Sequence, residues 1–324
     1  MITMSILGLG LIGTSMGLAL KQPQVQTSPF HKVHITGYDY QQMATKMARA
    51  RKAIDREART LEEAVADAQL VIVATPVRQV QTLFAQLAPI LPVESVITDT
   101  SSTKTSVCDW AKTLLPDSSR FIGGHPMAGK EQSGAEAAEA DLFQGAIYCL
   151  TPSNHAQQTA LNTVEALVRA LGSTPYYIDP HEHDAFVAGI SHLPFLLSTV
   201  LVEATSQSPA WNEMANLAAS GFRDISRLAS GDVAMHRDIC LTNAPSLNRW
   251  INDAIGILID IRDHIEQGDE AYLNTLFLHA QQVRDAWLNR PEIHYPGQQT
   301  GSHPGRTAAR RLRRRPTDPD QDSS

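Results

Sequence analysis

Two short stretches of this 324-residue chain combine residue types and spacing that can do chemistry. The first, Gly123-Gly124-His125-Pro126-Met127-Ala128-Gly129, sets one histidine in a glycine-rich bend after an apolar stretch, with Pro126 restricting its backbone. An imidazole titrates near neutrality, so a histidine held this way suits removal of a proton, which oxidising an alcohol by hydride transfer requires. A lone histidine is often structural, and the loop alone leaves both uses open.

The second stretch, Gly8-Leu9-Gly10-Leu11-Ile12-Gly13, follows the apolar run Met4–Leu7 and opens a helical pattern. In that context Gly8 permits a tight turn, Gly10 lets a pyrophosphate approach the backbone, and Gly13 allows close helix–strand packing. The helix start at Leu11 and Ile12 offers free N–H groups and a positive dipole end to phosphates. Asp39 closes the next strand, where a carboxylate accepts hydrogen bonds from the adenosine ribose and repels a 2′-phosphate, so NAD is expected in preference to NADP. The interval from the glycines to Asp39 exceeds the usual twenty or so residues, because Gln22–Lys32 inserts a loop with two prolines. Capping of the following helix is the competing use of Asp39. Thr75 and Pro76 end another predicted strand and so fall on the same carboxyl edge, where open α/β sheets bind ligands.

The elements that must position these residues alternate. Strands are predicted at Met4–Leu7, Val33–Tyr38, Leu70–Ala74 and Val96–Asp99, with helices near Thr14–Lys21, Gln41–Lys52 and Arg78–Ala88 between them. Arg120–Ile122 and Ala146–Leu150 can extend the sheet, and Gln157–Leu171 adds a helix. Beyond His181 strand signals give way to helical stripes such as Leu247, Trp250, Ala254, Leu258, Ile261, Ile265 and Leu273, Phe277, Ala280, Val283, Trp287, which suit either an intrachain core or a subunit interface. The expected architecture is α/β: a Rossmann-type doubly wound sheet over residues 1–178, then an all-helical, dimerising domain over 179–290. From 291 to 324 apolar residues nearly vanish, and a disordered tail is expected.

Bulk properties narrow the function. The net charge of −7 conceals a tail whose six arginines outnumber its four acids by two, leaving −9 for the body, a poor surface for nucleic acid. The arginine-rich tail reads most simply as solvated. Cys108, Cys149 and Cys240 are too widely spaced for a metal framework and suit a reducing compartment. No apolar run is read as reaching the eighteen or so residues of a membrane span, so a cytoplasmic protein without membrane partners is expected.

The Gly-Gly-His-Pro-Met-Ala-Gly segment together with the glycine motif resembles the prephenate/arogenate dehydrogenase family. Three further segments are similar to that family's motifs: Asp99-Thr100-Ser101-Ser102-Thr103-Lys104; His183-Asp184 with Ser191-His192-Leu193-Pro194; and Gly221-Phe222-Arg223-Asp224 with Arg227. The resemblance spans about residues 1 to 290. It implies oxidative decarboxylation of prephenate to 4-hydroxyphenylpyruvate, or of arogenate to tyrosine, by a homodimer using NAD without a metal. His125 becomes the base that takes the ring hydroxyl proton. Ser102 would bond the hydroxyl or orient His125, or else cap the next helix. Arg223 and Arg227 suit a substrate carboxylate, with an ordinary salt bridge as the alternative for Arg223. His192, where Pro194 should loosen a helix, is a substrate or nicotinamide contact or a satisfied core residue. The chain departs from the family's pattern at Phe195 and His236, which leaves the choice between prephenate and arogenate open. Competing functions are another dehydrogenase of the same two-domain build, such as a β-hydroxyacid dehydrogenase, or a non-catalytic NAD(H) sensor.

Overall fold

A computed structural model describes residues 1–289 apart from 24, 26, 27 and 131. The tail expected at 291–324 lies outside the described residues. Eight strands form one sheet: β1 (Ile2–Leu7), β2 (Val33–Tyr38), β3 (Arg56–Glu57), β4 (Leu70–Val73), β5 (Val96–Asp99), β6 (Phe121–Pro126), β7 (Ile147–Pro152) and β8 (Thr174–Tyr177). Their order is β3-β2-β1-β4-β5-β6-β7-β8, parallel throughout except where β6 meets β7. The order reverses direction between β1 and β4, which opens a crevice at their carboxyl ends.

Every residue of β4 and β5 is buried, as expected of strands covered on both faces. Along β1 the side chains alternate between two cores. Met4 and Ile6 pack with Met16, Leu20, Val164 and Leu167 on one face, while Leu7 joins Val73, Phe84, Val107 and Phe121 on the other. These cores are closed by α1 (Leu11–Leu20) and α6 (Gln158–Ala170) on the first side and by α4 (Val77–Leu87) and α5 (Thr105–Leu114) on the second.

Two local expectations need correcting. Helix α1 starts at Leu11, three residues earlier than the apolar pattern indicates, because Gly10 serves as its extended N-cap and the glycine motif already contains the first turn. His125 sits on a strand and not in a bend, paired with Cys149 across β6 and β7. The glycines before it are there for close approach: a Cβ on Gly123 would come 2.3 Å from Thr151 Oγ1, and one on Gly124 2.6 Å from the Asp99 carbonyl oxygen.

After Tyr177 the described residues are helical. Helix α7 (Pro180–Val187), a π-helical turn at Ala188–His192 and α8 (Leu193–Ser206) form one run. The irregular turn falls where the missing N–H of Pro194 predicts loosening. This run corrects the reading that nothing approaches membrane-spanning length: within its 27 residues an 18-residue window reaches a mean hydropathy of 1.9, with 28% of that window buried. Ser191, His192 and Pro194 interrupt the apolar run in the sequence without interrupting the helix.

Beyond it lie α9 (Trp211–Leu217), α10 (Ser220–Ser226), α11 (Val233–Thr242), α12 (Ala244–Glu266) and α13 (Glu270–Asn289). Of the stripe on α12 only Leu247 is buried, while Leu258 and Ile265, with Phe277, Val283 and Trp287 of α13, are exposed. Intrachain core packing therefore accounts for one end of the α12 stripe only.

The close approach at Gly124 gives a direct test. Gly124→Ala should lower stability by about 1–3 kcal/mol, the usual cost of forcing a methyl into a packed site, read as a lower urea midpoint with an unchanged m-value.

Candidate active site

The carboxyl edge of the sheet begins with the loop after β1. Gly8 adopts φ +96°, and a Cβ there would stand 2.5 Å from the Ala74 carbonyl oxygen, so the β1 and β4 loops touch. A Cβ on Gly13 would lie 2.0 Å from the Gly8 carbonyl oxygen, which ties the helix to its strand, whereas Gly10 has open space in front of it. Asp39 accepts from the Leu9 N–H at 2.8 Å and from the Gln41 N–H at 2.8 Å. The N-cap of α2 (Gln42–Ala50) is Gln41, so Asp39 braces the glycine loop instead of capping that helix. Each of its oxygens keeps a further lone pair for a ligand hydroxyl. At the end of β4 the Thr75 hydroxyl is buried without a partner among the described residues. An orphaned hydroxyl beside an open glycine and a bracing carboxylate fits a bound dinucleotide.

Next along the edge, Asp99 and Lys104 form a fully buried ion pair. The same carboxylate accepts from the N–H of Ser101 at 2.8 Å and of Gly124 at 3.0 Å, and Lys104 Nζ donates to the Gly124 carbonyl at 2.7 Å. The residue preceding His125 is thus held from both sides. His125 is itself buried, and its Nδ1 lies 2.9 Å from His183 Nε2. Burial, with His183, Lys104 and His192 nearby, holds its pKa well below 6.5, so the ring is neutral at neutral pH. No described residue hydrogen-bonds its Nε2.

His183 and Asp184 reach this edge from α7. His183 Nδ1 is 2.8 Å from Asp184 Oδ1, and the Asp184 carboxylate also accepts from the N–H groups of Lys104 at 2.7 Å and Thr105 at 2.9 Å. Burial by itself would raise the Asp184 pKa, but the His183 bond and those backbone N–H groups outweigh it and leave the group below its ordinary value. Asn243 donates to the Asp184 carbonyl at 2.8 Å and lies 3.3 Å from His192 Nδ1. Burial pushes the His192 pKa down to about 4, and its Nε2 is buried without a partner, as is the Ser101 hydroxyl. His192 is therefore only half satisfied as a core residue.

Other expected residues fall as follows. Ser102 is half-buried and makes no hydrogen bond among the described residues. The two intrachain contacts foreseen for it are made by other side chains: His183 Nε2 lies against His125 Nδ1, and Asp184 takes the amides at the start of α5. His236 stacks on Phe195 with centroids 4.1 Å apart and rings 1° from parallel. Arg223 and Arg227 line an open cleft of about 690 Å³ with Lys130, Gln132, Ser226 and Ser230. They come together there, but His125, His192 and His236 are not among its walls. The sequence reading assigned no task to Lys104, Asp99, His183, Asp184, Asn243 or Lys130. Four of these sit in segments quoted for the family resemblance, yet only the fold reveals that α7 runs back against the start of α5.

A doubly wound sheet with a nucleotide crevice at its switch point and a helical half bearing on the same edge belongs to the class of nucleotide-dependent dehydrogenases. Comparison with known proteins narrows the class. Residues 24–177 match the profile described as "Prephenate dehydrogenase, nucleotide-binding domain", and 179–279 match "Prephenate dehydrogenase, dimerization domain". The chain is 36% identical over 285 residues to the prephenate dehydrogenase of Bacillus subtilis, covering 87% of this chain and 75% of that protein. It is 31% identical over 284 residues to the cyclohexadienyl dehydrogenase of Zymomonas mobilis, covering 86% and 94%. The solved prephenate dehydrogenase of Aquifex aeolicus, in complex with hydroxyphenyl propionate and NAD+, aligns with a TM-score of 0.78 at 26% identity over 87% of this chain and 98% of that one. Synechocystis arogenate dehydrogenase aligns with a TM-score of 0.74 at 29% identity, over 88% and 100%. The chain belongs to the prephenate dehydrogenase family.

Lys104→Met would leave the Asp99 carboxylate buried and unpaired. Stability should fall by about 3–5 kcal/mol, the usual cost of breaking a buried pair from one side, measured by equilibrium urea unfolding.

Proposed function

We propose that this protein carries out the NAD-dependent oxidative decarboxylation of prephenate to 4-hydroxyphenylpyruvate, or of arogenate to tyrosine, in tyrosine biosynthesis. The observation that carries the reading is the state of His125: neutral, fixed through Nδ1, with no described residue bonding its Nε2, on the sheet that carries the nucleotide crevice. His125 Nε2 takes the proton of the ring hydroxyl as hydride leaves the carbon that bears it. NAD, when bound, supplies the hydride acceptor. The resulting dienone loses its ring carboxylate as carbon dioxide, the electrons of the broken bond complete the aromatic ring, and the ring oxygen takes back the proton from His125 Nε2; aromatisation makes the step effectively irreversible.

Supporting roles follow from the residues around the base. Gly8, Gly10, Gly13 and the first-turn amides at Leu11 and Ile12 cradle the pyrophosphate, Thr75 and Pro76 border the nicotinamide side, and Asp39 receives the adenosine ribose and disfavours a 2′-phosphate. Ser102 and His192 present polar atoms to the substrate ring, and Arg223 and Arg227 receive a carboxylate through their planar forks. The Phe195–His236 stack faces the substrate's variable end and sets the preference between prephenate and arogenate. Residues 1–178 serve as the nucleotide half and 179–290 as the substrate half. The exposed Leu258, Ile265, Phe277, Val283 and Trp287 pack against a second copy, since so much apolar surface marks an interface. The dimerization-domain match supports that pairing. A reducing, cytoplasmic setting suits the three free cysteines.

Absorbance of NADH at 340 nm, with prephenate and arogenate supplied in parallel, tests the reaction. His125→Asn should lose roughly 10²–10⁴-fold in kcat, the usual worth of a positioned general base. Because the depressed His125 pKa keeps the ring neutral, kcat/KM should hold level down to pH 6.5 and fall only well below it, as the ring takes up its proton. Asp39→Asn should raise KM for NAD by about tenfold or more, the loss expected for one charge-assisted hydrogen bond, and narrow the preference over NADP.

A further inference from the structure

Resting on that assignment of His125 as the base, we propose that Asp184 and His183 are positioning residues that set its tautomer, delivering the lone pair to Nε2 through a two-bond relay. The geometry is continuous. Asp184 Oδ1 lies 2.8 Å from His183 Nδ1, and His183 Nε2 lies 2.9 Å from His125 Nδ1. An ionised carboxylate only accepts, so His183 must present Nδ1–H to Asp184. A neutral His183 then offers a bare Nε2, and the bond to His125 forms only if His125 carries its proton on Nδ1. That arrangement leaves His125 Nε2 as the sole basic atom of the ring. When the substrate proton arrives there, the charge of the new imidazolium is shared toward His183 and faces Asp184.

The relay is held from both halves of the fold. The Asp184 carboxylate is pinned by the amides of Lys104 and Thr105 at the start of α5, and the Asp184 carbonyl by Asn243 at the end of α11. The groups facing His125 are His183 and Asp184 from α7, Lys104 and Asp99 from the β5–α5 segment, and His192 from the π-helical turn, with Cys149 its partner across β7. Among the described residues only His183 hydrogen-bonds the ring. The site of Asp184 demands acceptors at both oxygens: Oδ1 serves His183 and the Lys104 N–H, and Oδ2 the Thr105 N–H. Asp184→Leu, of similar shape, leaves His183 Nδ1–H without an acceptor and releases that ring to the other tautomer, which places a proton on His125 Nε2.

The test labels the full chain with ¹⁵N-histidine and identifies the His125 ring by its disappearance in His125→Asn. Long-range proton–nitrogen spectra should show the Nδ1–H form of His125 in the unmodified protein and the Nε2–H form gaining population in Asp184→Leu. In parallel, His183→Leu should lower kcat by roughly 10²-fold or more with KM little changed. His183→Gln, whose amide oxygen can accept from His125 Nδ1, should restore most of that loss. The His183 pair keeps the relay testable should Asp184→Leu fail to fold. An Nε2–H form in the unmodified protein overturns the proposal, as does a His183→Leu variant with undiminished kcat, or equal losses in His183→Leu and His183→Gln. A folded protein that binds NAD yet oxidises neither substrate overturns the assigned reaction instead, while the spectra still decide the tautomer.

Discussion

The buried ion pair between Asp99 and Lys104 is the constraint on which the rest of the site depends. Both side chains are fully excluded from solvent, where neither charge could stand alone. Their remaining hydrogen-bonding capacity is spent on backbone groups: the N–H groups of Ser101 and Gly124, and the Gly124 carbonyl. The pair therefore stitches the end of β5 and the start of α5 to the one strand that bears His125. Gly124 has no side chain because the Asp99 carbonyl and the Tyr148 ring occupy that space. Charge, close packing and strand register act together to fix one imidazole.

Against that frame the helical half contributes polarity from an otherwise apolar run. The Pro180–Ser206 segment buries His183, Asp184, His192 and Ser198 while leaving Phe186, Ile190, Leu197 and Val200 exposed. Its polar residues meet the carboxyl edge of the sheet, where Asp184 takes the backbone N–H groups of Lys104 and Thr105. One helix thus joins the two halves of the molecule and supplies the groups that surround His125. The ion pair from Arg120 to Glu94 and the contact of Arg78 with Asp238 add little by comparison, because each has a largely solvent-exposed partner.

Much of the sheet was legible in the sequence because parallel strands buried on both faces read as apolar runs. Val33–Tyr38 and Val96–Asp99 are recovered residue for residue, and the glycine motif marked the crevice. β8 was missed because Thr174–Tyr177 carries Pro175 within it, directly after the turn at Gly172, and is only half apolar. His125 was legible as a chemical residue but not as a strand residue, since glycines suggest a bend until the neighbours that exclude a Cβ are known. His183 and Asp184 stood out in the sequence as a motif without a task. What they do depends on contacts 58 and 80 residues away along the chain, with His125 and Lys104, and no local pattern encodes those. The apolar stripes of α12 and α13 left core and interface open, and of their residues the single chain buries only Leu247 among those described.

The most direct test of the account is a crystal structure of this protein with NAD and 4-hydroxyphenylpyruvate bound together. The account predicts the phenolic oxygen within about 3 Å of His125 Nε2, the reach of a general base, with His125 Nδ1 still bonded to His183 and the ring carbon bearing that oxygen turned to the nicotinamide. A phenolic oxygen bound away from Nε2, with another side chain at that distance, would contradict it.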